Sequence, residues 1–127
     1  MHRALEELSK TDNYKILVQY KGISHTIDCR DILYIESQNR FLHYFLADGN
    51  ILRCYDKLDE IEWELPKQYF LRCHQSFIVN LSHVSEMGDK YFRIGKSLIS
   101  ISKKYWKDVK DKYYAYLFSS MDGGHPL

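Results

Sequence analysis

The stretch Phe70-Leu71-Arg72-Cys73-His74-Gln75-Ser76-Phe77-Ile78-Val79-Asn80 sets polar residues side by side just before an apolar run. His74, Gln75 and Ser76 stand where the chain is about to enter the strand-like Phe77-Ile78-Val79. A core strand has no use for three adjacent hydrogen-bonding side chains, because each must find a partner once buried. A surface that reads hydrogen-bond patterns does. A glutamine amide can pair with adenine N6 and N7, and histidine and serine can reach base edges or phosphates. Taken alone, the three residues fit better a polar turn before a buried strand, with Ser76 bonded to its own backbone.

Outward from this stretch the pattern is mostly that of short strands. Ile16, Val18 and Tyr20 alternate with Lys15, Leu17 and Gln19, Lys21-Gly22 breaks the run, and Ile23, His25 and Ile27 alternate again, which predicts a hairpin. Leu33 to Ser37 and Phe41 to Leu46 read as two further strands joined across Gln38-Asn39-Arg40. Asp48-Gly49-Asn50 is a strong turn signal, followed by Ile51 to Tyr55 as a return strand. The period then becomes helical: Asp56 can cap, Leu58, Ile61 and Leu65 share a face, and Pro66 ends the helix. Phe77 to Asn80, Val84 to Met87, Tyr91 to Ile94 and Leu98 to Ile101 read as four more strands. Ser102 is a candidate N-cap for a last helix to about Phe118, with Trp106, Val109, Tyr113, Tyr116 and Leu117 as its apolar stripe. The expected fold is mainly β, with short antiparallel sheets, a short central helix and a C-terminal helix.

The chain has 127 residues, 45% of them hydrophobic and 28% charged, which fits one globular domain. No apolar run nears the roughly 20 residues that cross a bilayer, and Met1 opens no signal-peptide pattern. Cys29, Cys54 and Cys73 are odd in number and lack C-x-x-C spacing, so neither a disulfide framework nor zinc is expected, and a cytoplasmic setting fits. The net charge of +1 is a weak argument against nucleic acid. Its distribution softens the argument. Acidic residues gather between Asp56 and Glu64, while Lys103, Lys104, Lys107, Lys110 and Lys112 crowd the C-terminal stretch.

The central stretch resembles the motif F-x-R-x-H-x-S-[FY]-x-V-N of the LytTR DNA-binding domain, matched by Phe70, Arg72, His74, Ser76, Phe77, Val79 and Asn80. Asp31-Ile32-Leu33-Tyr34-Ile35-Glu36 is similar to the family's D-I-x-Y-I-E segment, Leu46-Ala47-Asp48-Gly49 to its next turn, and Ile101-Ser102-Lys103-Lys104 to its V-S-[RK]-[RK] run. The resemblance spans residues from about Lys15 to Tyr116. It implies the effector domain of a LytR/AlgR-type response regulator, inserting loops rather than a recognition helix into the major groove of promoter DNA. It also implies direct-repeat sites, a dimer on DNA, and a receiver domain in the full-length chain. Residues 1–13 then read as a linker or the remnant of that receiver, 14–118 as the DNA-binding domain and 119–127 as a flexible tail.

The residues expected at DNA are His74, Gln75, Ser76, Arg72, Asn39, Arg40, Lys103, Lys104 and Lys107. Each has a plainer alternative. Arg72 can instead pair with a carboxylate such as Asp31, and Asn80 fits a turn-tying amide better than a DNA contact. Gln38, Asn39 and Arg40 lie where the family places a second DNA-contacting loop, but are also an ordinary polar turn; His43 either joins them or faces a sheet. Lys103 and Lys104 follow a capping serine, a place where cations meet the positive end of the helix dipole at a cost of about 0.3–1 kcal/mol each unless an anion is brought there. Otherwise they are a solvated face.

An enzyme finds little support: no nucleophile elbow, zinc-protease helix, phosphate loop or paired carboxylates appear. Cys73 beside His74 is expected to be a buried, inert thiol, since neighbours in an extended chain point to opposite sides. The histidines have no metal-ligand spacing, and no cofactor is expected. The alternatives kept open are a protein-interaction module of the same β fold, using its eleven tyrosines and two tryptophans as a docking surface, and a small-molecule sensor with a pocket under the last helix.

Overall fold

The computed structural model describes residues 14–124. The segment expected as linker or receiver remnant, residues 1–13, lies outside the described residues. Among the described residues ten strands form three antiparallel sheets. Strands β1 (Lys15–Tyr20) and β2 (Ile23–Asp28) make a two-stranded ribbon. Strands β3 (Ile32–Gln38), β4 (Phe41–Leu46), β5 (Ile51–Tyr55), β6 (Phe70–His74) and β7 (Phe77–Asn80) form the central sheet, in the order β5-β4-β3-β7-β6. Strands β8 (Glu86–Gly88), β9 (Tyr91–Ile94) and β10 (Ser97–Ser100) form the third. A single helical turn, α1 (Leu58–Ile61), follows β5, and the long helix α2 (Trp106–Gly124) closes the described chain.

The central sheet is covered on both faces, and its side chains are shared between two cores. One face buries Ile35, Leu42, Tyr44, Cys54 and Ile78 against Ile16, Val18 and Ile27 of the ribbon and Leu58 and Ile61 of α1. The other buries Tyr34, Leu71, Cys73 and Val79 against Phe92, Ile94 and Ile99 of the third sheet and Val109 and Tyr113 of α2. Alternation along one strand thus serves two cores at once, Ile78 pointing to the first and Val79 to the second. Asn80 is the buried exception, only 1% exposed. Its amide donates to the carbonyls of Cys29 and Ile32, while its oxygen accepts from the backbone N–H and hydroxyl of Ser82. With both donors and both acceptor positions used, the amide ties β7 to the start of β3 at no desolvation penalty.

Several expectations need correction. The central helix was expected from Asp56 to Leu65, but only Leu58–Ile61 is α-helical, and Lys57, not Asp56, holds the N-cap position without a side-chain cap. Beyond it the backbone tightens to three-residue bonds, Trp63 N–H to the Glu60 carbonyl and Glu64 N–H to that of Ile61, as the chain turns toward Pro66. Phe70–His74 forms a strand that the sequence pattern does not announce, and the expected polar turn is confined to the residues after it. The last helix starts with a tight turn at Lys103–Tyr105 and runs to Gly124, beyond the expected end at Phe118. Its apolar stripe stops before its backbone hydrogen bonds do. Ser102 occupies the N-cap position, yet its side chain makes no capping bond.

Candidate nucleic-acid interface

The register of the central sheet brings the candidate residues to one end. Gln38 pairs with Phe41, so Asn39 and Arg40 alone form the β3–β4 turn. Both have positive φ, 52° and 71°, the two-residue hairpin turn that matches strand twist. Asparagine tolerates this left-handed conformation; arginine at the second position is held there against its preference. Strand β7 lies antiparallel to β3, so the β6–β7 turn at Gln75–Ser76 emerges at the same end. The Ser37 N–H, near the end of β3, donates to the Ser76 carbonyl at 2.9 Å and holds the β6–β7 turn beside that end. The start of the last helix is fastened there as well, through the Ser102 N–H to the Cys73 carbonyl at 3.0 Å.

Within the β6–β7 turn the side chains are ordered by the chain itself. His74 Nδ1 accepts from the Ser76 backbone N–H at 3.0 Å, and its ring meets Phe77 edge-on at 5.4 Å. That leaves Nε2 as the imidazole's remaining hydrogen-bonding atom. Gln75, at the tip, is exposed. Beneath it lies Arg72, whose Nε donates to the His74 carbonyl at 2.9 Å and Nη2 to the Gln75 carbonyl at 2.7 Å. Its Nη1 donates to Asp59 Oδ1 at 2.9 Å and Glu62 Oε1 at 2.8 Å. Burial would lower the basicity of this guanidinium, but the bonds to Asp59 and Glu62 more than offset it and hold the group charged. The carboxylate partners are those of α1 and its exit, not Asp31. Arg72 therefore directs four hydrogen bonds into the fold, splinting the turn that presents Gln75. The bulge between Arg72 and His74 makes room for this arrangement, and it leaves Cys73 in the core beside Leu71.

Arg40 and Gln75 line one open groove together with Ser37 and Tyr55, bordered by Asp56, Asp59 and Glu60. Lys103, Lys104 and Lys107 are exposed beside the Cys73 end of β6. His43 sits within the sheet, paired with Glu36 and Arg53 across β4, and its Nδ1 is buried without a hydrogen-bond partner. Sequence reasoning missed Asp59 and Glu62, whose acidic character alone gave no sign that they meet Arg72.

The thiols do not belong to any such surface. All three are free and buried, and burial pushes Cys73 and Cys29 to about 12 and Cys54 to about 11. No group of histidine, cysteine and acidic side chains among the described residues could hold a metal ion. No helix among them is long and apolar enough to cross a membrane.

Comparison with known proteins bears on the same segments. Over 83 residues the chain is 30% identical to the transcriptional regulatory protein NatR of Bacillus subtilis, covering 65% of this chain and 35% of NatR. Over 111 residues it is 28% identical to the sensory transduction protein LytT of the same organism, covering 83% of this chain and 46% of LytT. The chain thus spans less than half the length of these relatives. The fold superposes with a TM-score of 0.67 on a LytTr DNA-binding domain from a Bacillus cereus response regulator, at 20% identity, covering 78% of this chain and 95% of that one. Residues 23–113, which contain both turns and the start of the last helix, match the family model described as LytTr DNA-binding domain. The chain belongs to the LytTr DNA-binding domain family.

Proposed function

We propose that this chain is the DNA-binding effector domain of a two-component response regulator and acts on transcription by reading promoter DNA in the major groove. The observation that carries the reading is the convergence of the Asn39–Arg40 turn, the Gln75 turn and the Lys103-Lys104 helix start at one end, with backbone hydrogen bonds from Ser37 to Ser76 and from Ser102 to Cys73 tying the adjoining segments. Gln75 reads a base edge, with His74 and Ser76 as its neighbours; Asn39 and Arg40 form the second reading turn. Lys103, Lys104 and Lys107 bind phosphate. Arg72 acts as a positioning residue through the carbonyls it holds.

The names of the relatives, a transcriptional regulator and a sensory transduction protein, support a receiver domain in the same full-length chain, and a DNA-binding domain suits a cytoplasmic setting. A dimer on direct-repeat DNA is the assembly this reading favours. No catalytic role is assigned. The test is selection of bound duplexes from a random pool, followed by titration of the best sequence against salt. A recovered consensus with a steep log–log salt dependence supports the reading. Absence of any enriched sequence, with weak and salt-insensitive binding, would favour the protein-interaction module.

A further inference from the structure

The described residues contain five arginines, and three are neutralised within the fold: Arg30 by Asp28, Arg72 by Asp59 and Glu62, Arg93 by Glu86. The two with no carboxylate partner are Arg40 and Arg53. Both belong to the same end of the central sheet, since Phe41, the residue after Arg40, packs under the Arg53 guanidinium at 4.5 Å. Arg53 is exposed but fixed. Its Nη2 donates to the Tyr20 hydroxyl at 2.9 Å, and its guanidinium lies 5.5 Å from the Tyr20 ring. Phe41 is itself stacked on Tyr55 at 4.4 Å. The ammonium of Lys21 lies 5.3 Å from the centre of the same Tyr20 ring.

Lys21 occupies the β1–β2 turn with φ of 53°, a position that asparagine or glycine fills more easily. Two cations therefore gather at one phenol, and neither forms an ion pair among the described residues. Their charges, with the Arg53 hydrogen bond first, pull the Tyr20 hydroxyl below its ordinary pKa. Gathering two positive groups at one ring carries a like-charge cost in the free protein, and an anion that meets both would offset it. The rings also remove much of the arginine's rotamer freedom before any ligand arrives, so little is lost on binding.

We infer that Lys21 and Arg53 form a further contact to the sugar–phosphate backbone of duplex DNA, at the ribbon side of the interface and outside the segments that read bases. The inference rests on the DNA-binding reading above and lengthens its footprint. A phosphate between Lys21 and Arg53 would accept from the guanidinium N–H groups that Tyr20 leaves free.

The experiment compares the 127-residue chain with its Lys21→Asn and Arg53→Gln variants on a selected duplex, by salt titration and by ethylation interference of individual phosphates. Lys21→Asn suits the turn and makes no demand on the core, so it guards against a folding artefact in Arg53→Gln. Each variant is expected to weaken binding several-fold on every sequence, lower the log–log salt slope by about 0.9, and relieve interference at one outlying phosphate. Base preference should be unchanged. If wild type binds with strong salt dependence while both variants keep its affinity, slope and interference pattern, the contact does not exist and the DNA-binding reading stands. If wild type itself binds no duplex, both fall together.

Discussion

Arg72 donates through Nη2 to the carbonyl oxygen of Gln75 at 2.7 Å, so one motif side chain fixes the backbone that carries another. The guanidinium also holds the His74 carbonyl and two carboxylates. A lysine cannot reproduce this fork. Arg72→Lys should lower stability by about 1–3 kcal/mol, as expected for losing charged hydrogen bonds at a largely buried site. It should also weaken binding to the best site far more than to random duplex. Thermal denaturation together with paired titrations decides the matter. A uniform loss on all sequences would make Arg72 a phosphate ligand instead.

Gln75 is the exposed tip of that splinted turn, and its side chain carries both a donor and an acceptor. Gln75→Ala should cost about 1–3 kcal/mol on the selected site and relax preference at one base pair, leaving nonspecific affinity nearly intact. Selection repeated with the variant tests this. An unchanged preference at every position would remove Gln75 from direct readout.

Arg40 stands at φ of 71° in a turn whose second position suits glycine. A fold selected for stability alone has no reason to hold arginine there. Arg40→Gly should therefore raise stability, by up to about 1–2 kcal/mol, while weakening DNA binding. Denaturation and titration on the same preparation separate the two effects. Improved stability with undiminished affinity would leave the arginine without a role at DNA.

How legible all this was depended on burial. The strands whose partners leave one side toward solvent, such as Lys15–Tyr20 and Ile51–Tyr55, announce themselves by alternation. Phe70–His74 does not, because Phe70 enters one core while Leu71 and Cys73 enter the other, and polar residues follow at once. The central helix was overread for a related reason. Leu58, Ile61 and Leu65 are all buried, as their spacing suggests, yet a single α-turn followed by tight turns places them there as well as a longer helix would. The turn residues Gln75, Asn39 and Arg40 were visible through the motif and the hairpin pattern. The hold of Asp59 and Glu62 on Arg72 was not, because it joins segments brought together only by the course of the chain from β5 to β6.

The buried thiols contribute, with buried tyrosines such as Tyr44, to the alkaline behaviour of the fold. Cys73 is pushed up to about 12 from an ordinary value of 9.0, chiefly by burial. The raised value means that the folded state keeps its proton where the unfolded chain has lost it. This contribution is whole below pH 9 and is lost as pH rises toward 12. The melting temperature should thus fall from about pH 9 upward, and Cys73→Ala should flatten the fall. At pH 8 a thiol reagent should label the native chain slowly and the denatured chain at once. Rapid native labelling of Cys73 would show that β6 opens far more readily than its packing implies.

The last prediction concerns the two lysines at the start of the final helix. Lys104 is exposed, close to the positive end of the helix dipole, where Ser102 provides no side-chain cap. Its ammonium lies 5.6 Å from the Tyr105 ring, a weak local contact that does not explain two adjacent cations. An incoming phosphate would meet backbone N–H groups and lysine charge at the same place. Lys104→Ala should therefore lower affinity for all duplexes about equally and reduce the log–log salt slope by roughly 0.9. Without DNA the same change should leave stability level or slightly raised, because an unfavourable dipole interaction is removed. A merely solvated lysine predicts an unchanged slope, and a structural one predicts lower stability. The phosphate role holds only if affinity and slope fall together while the melting temperature does not.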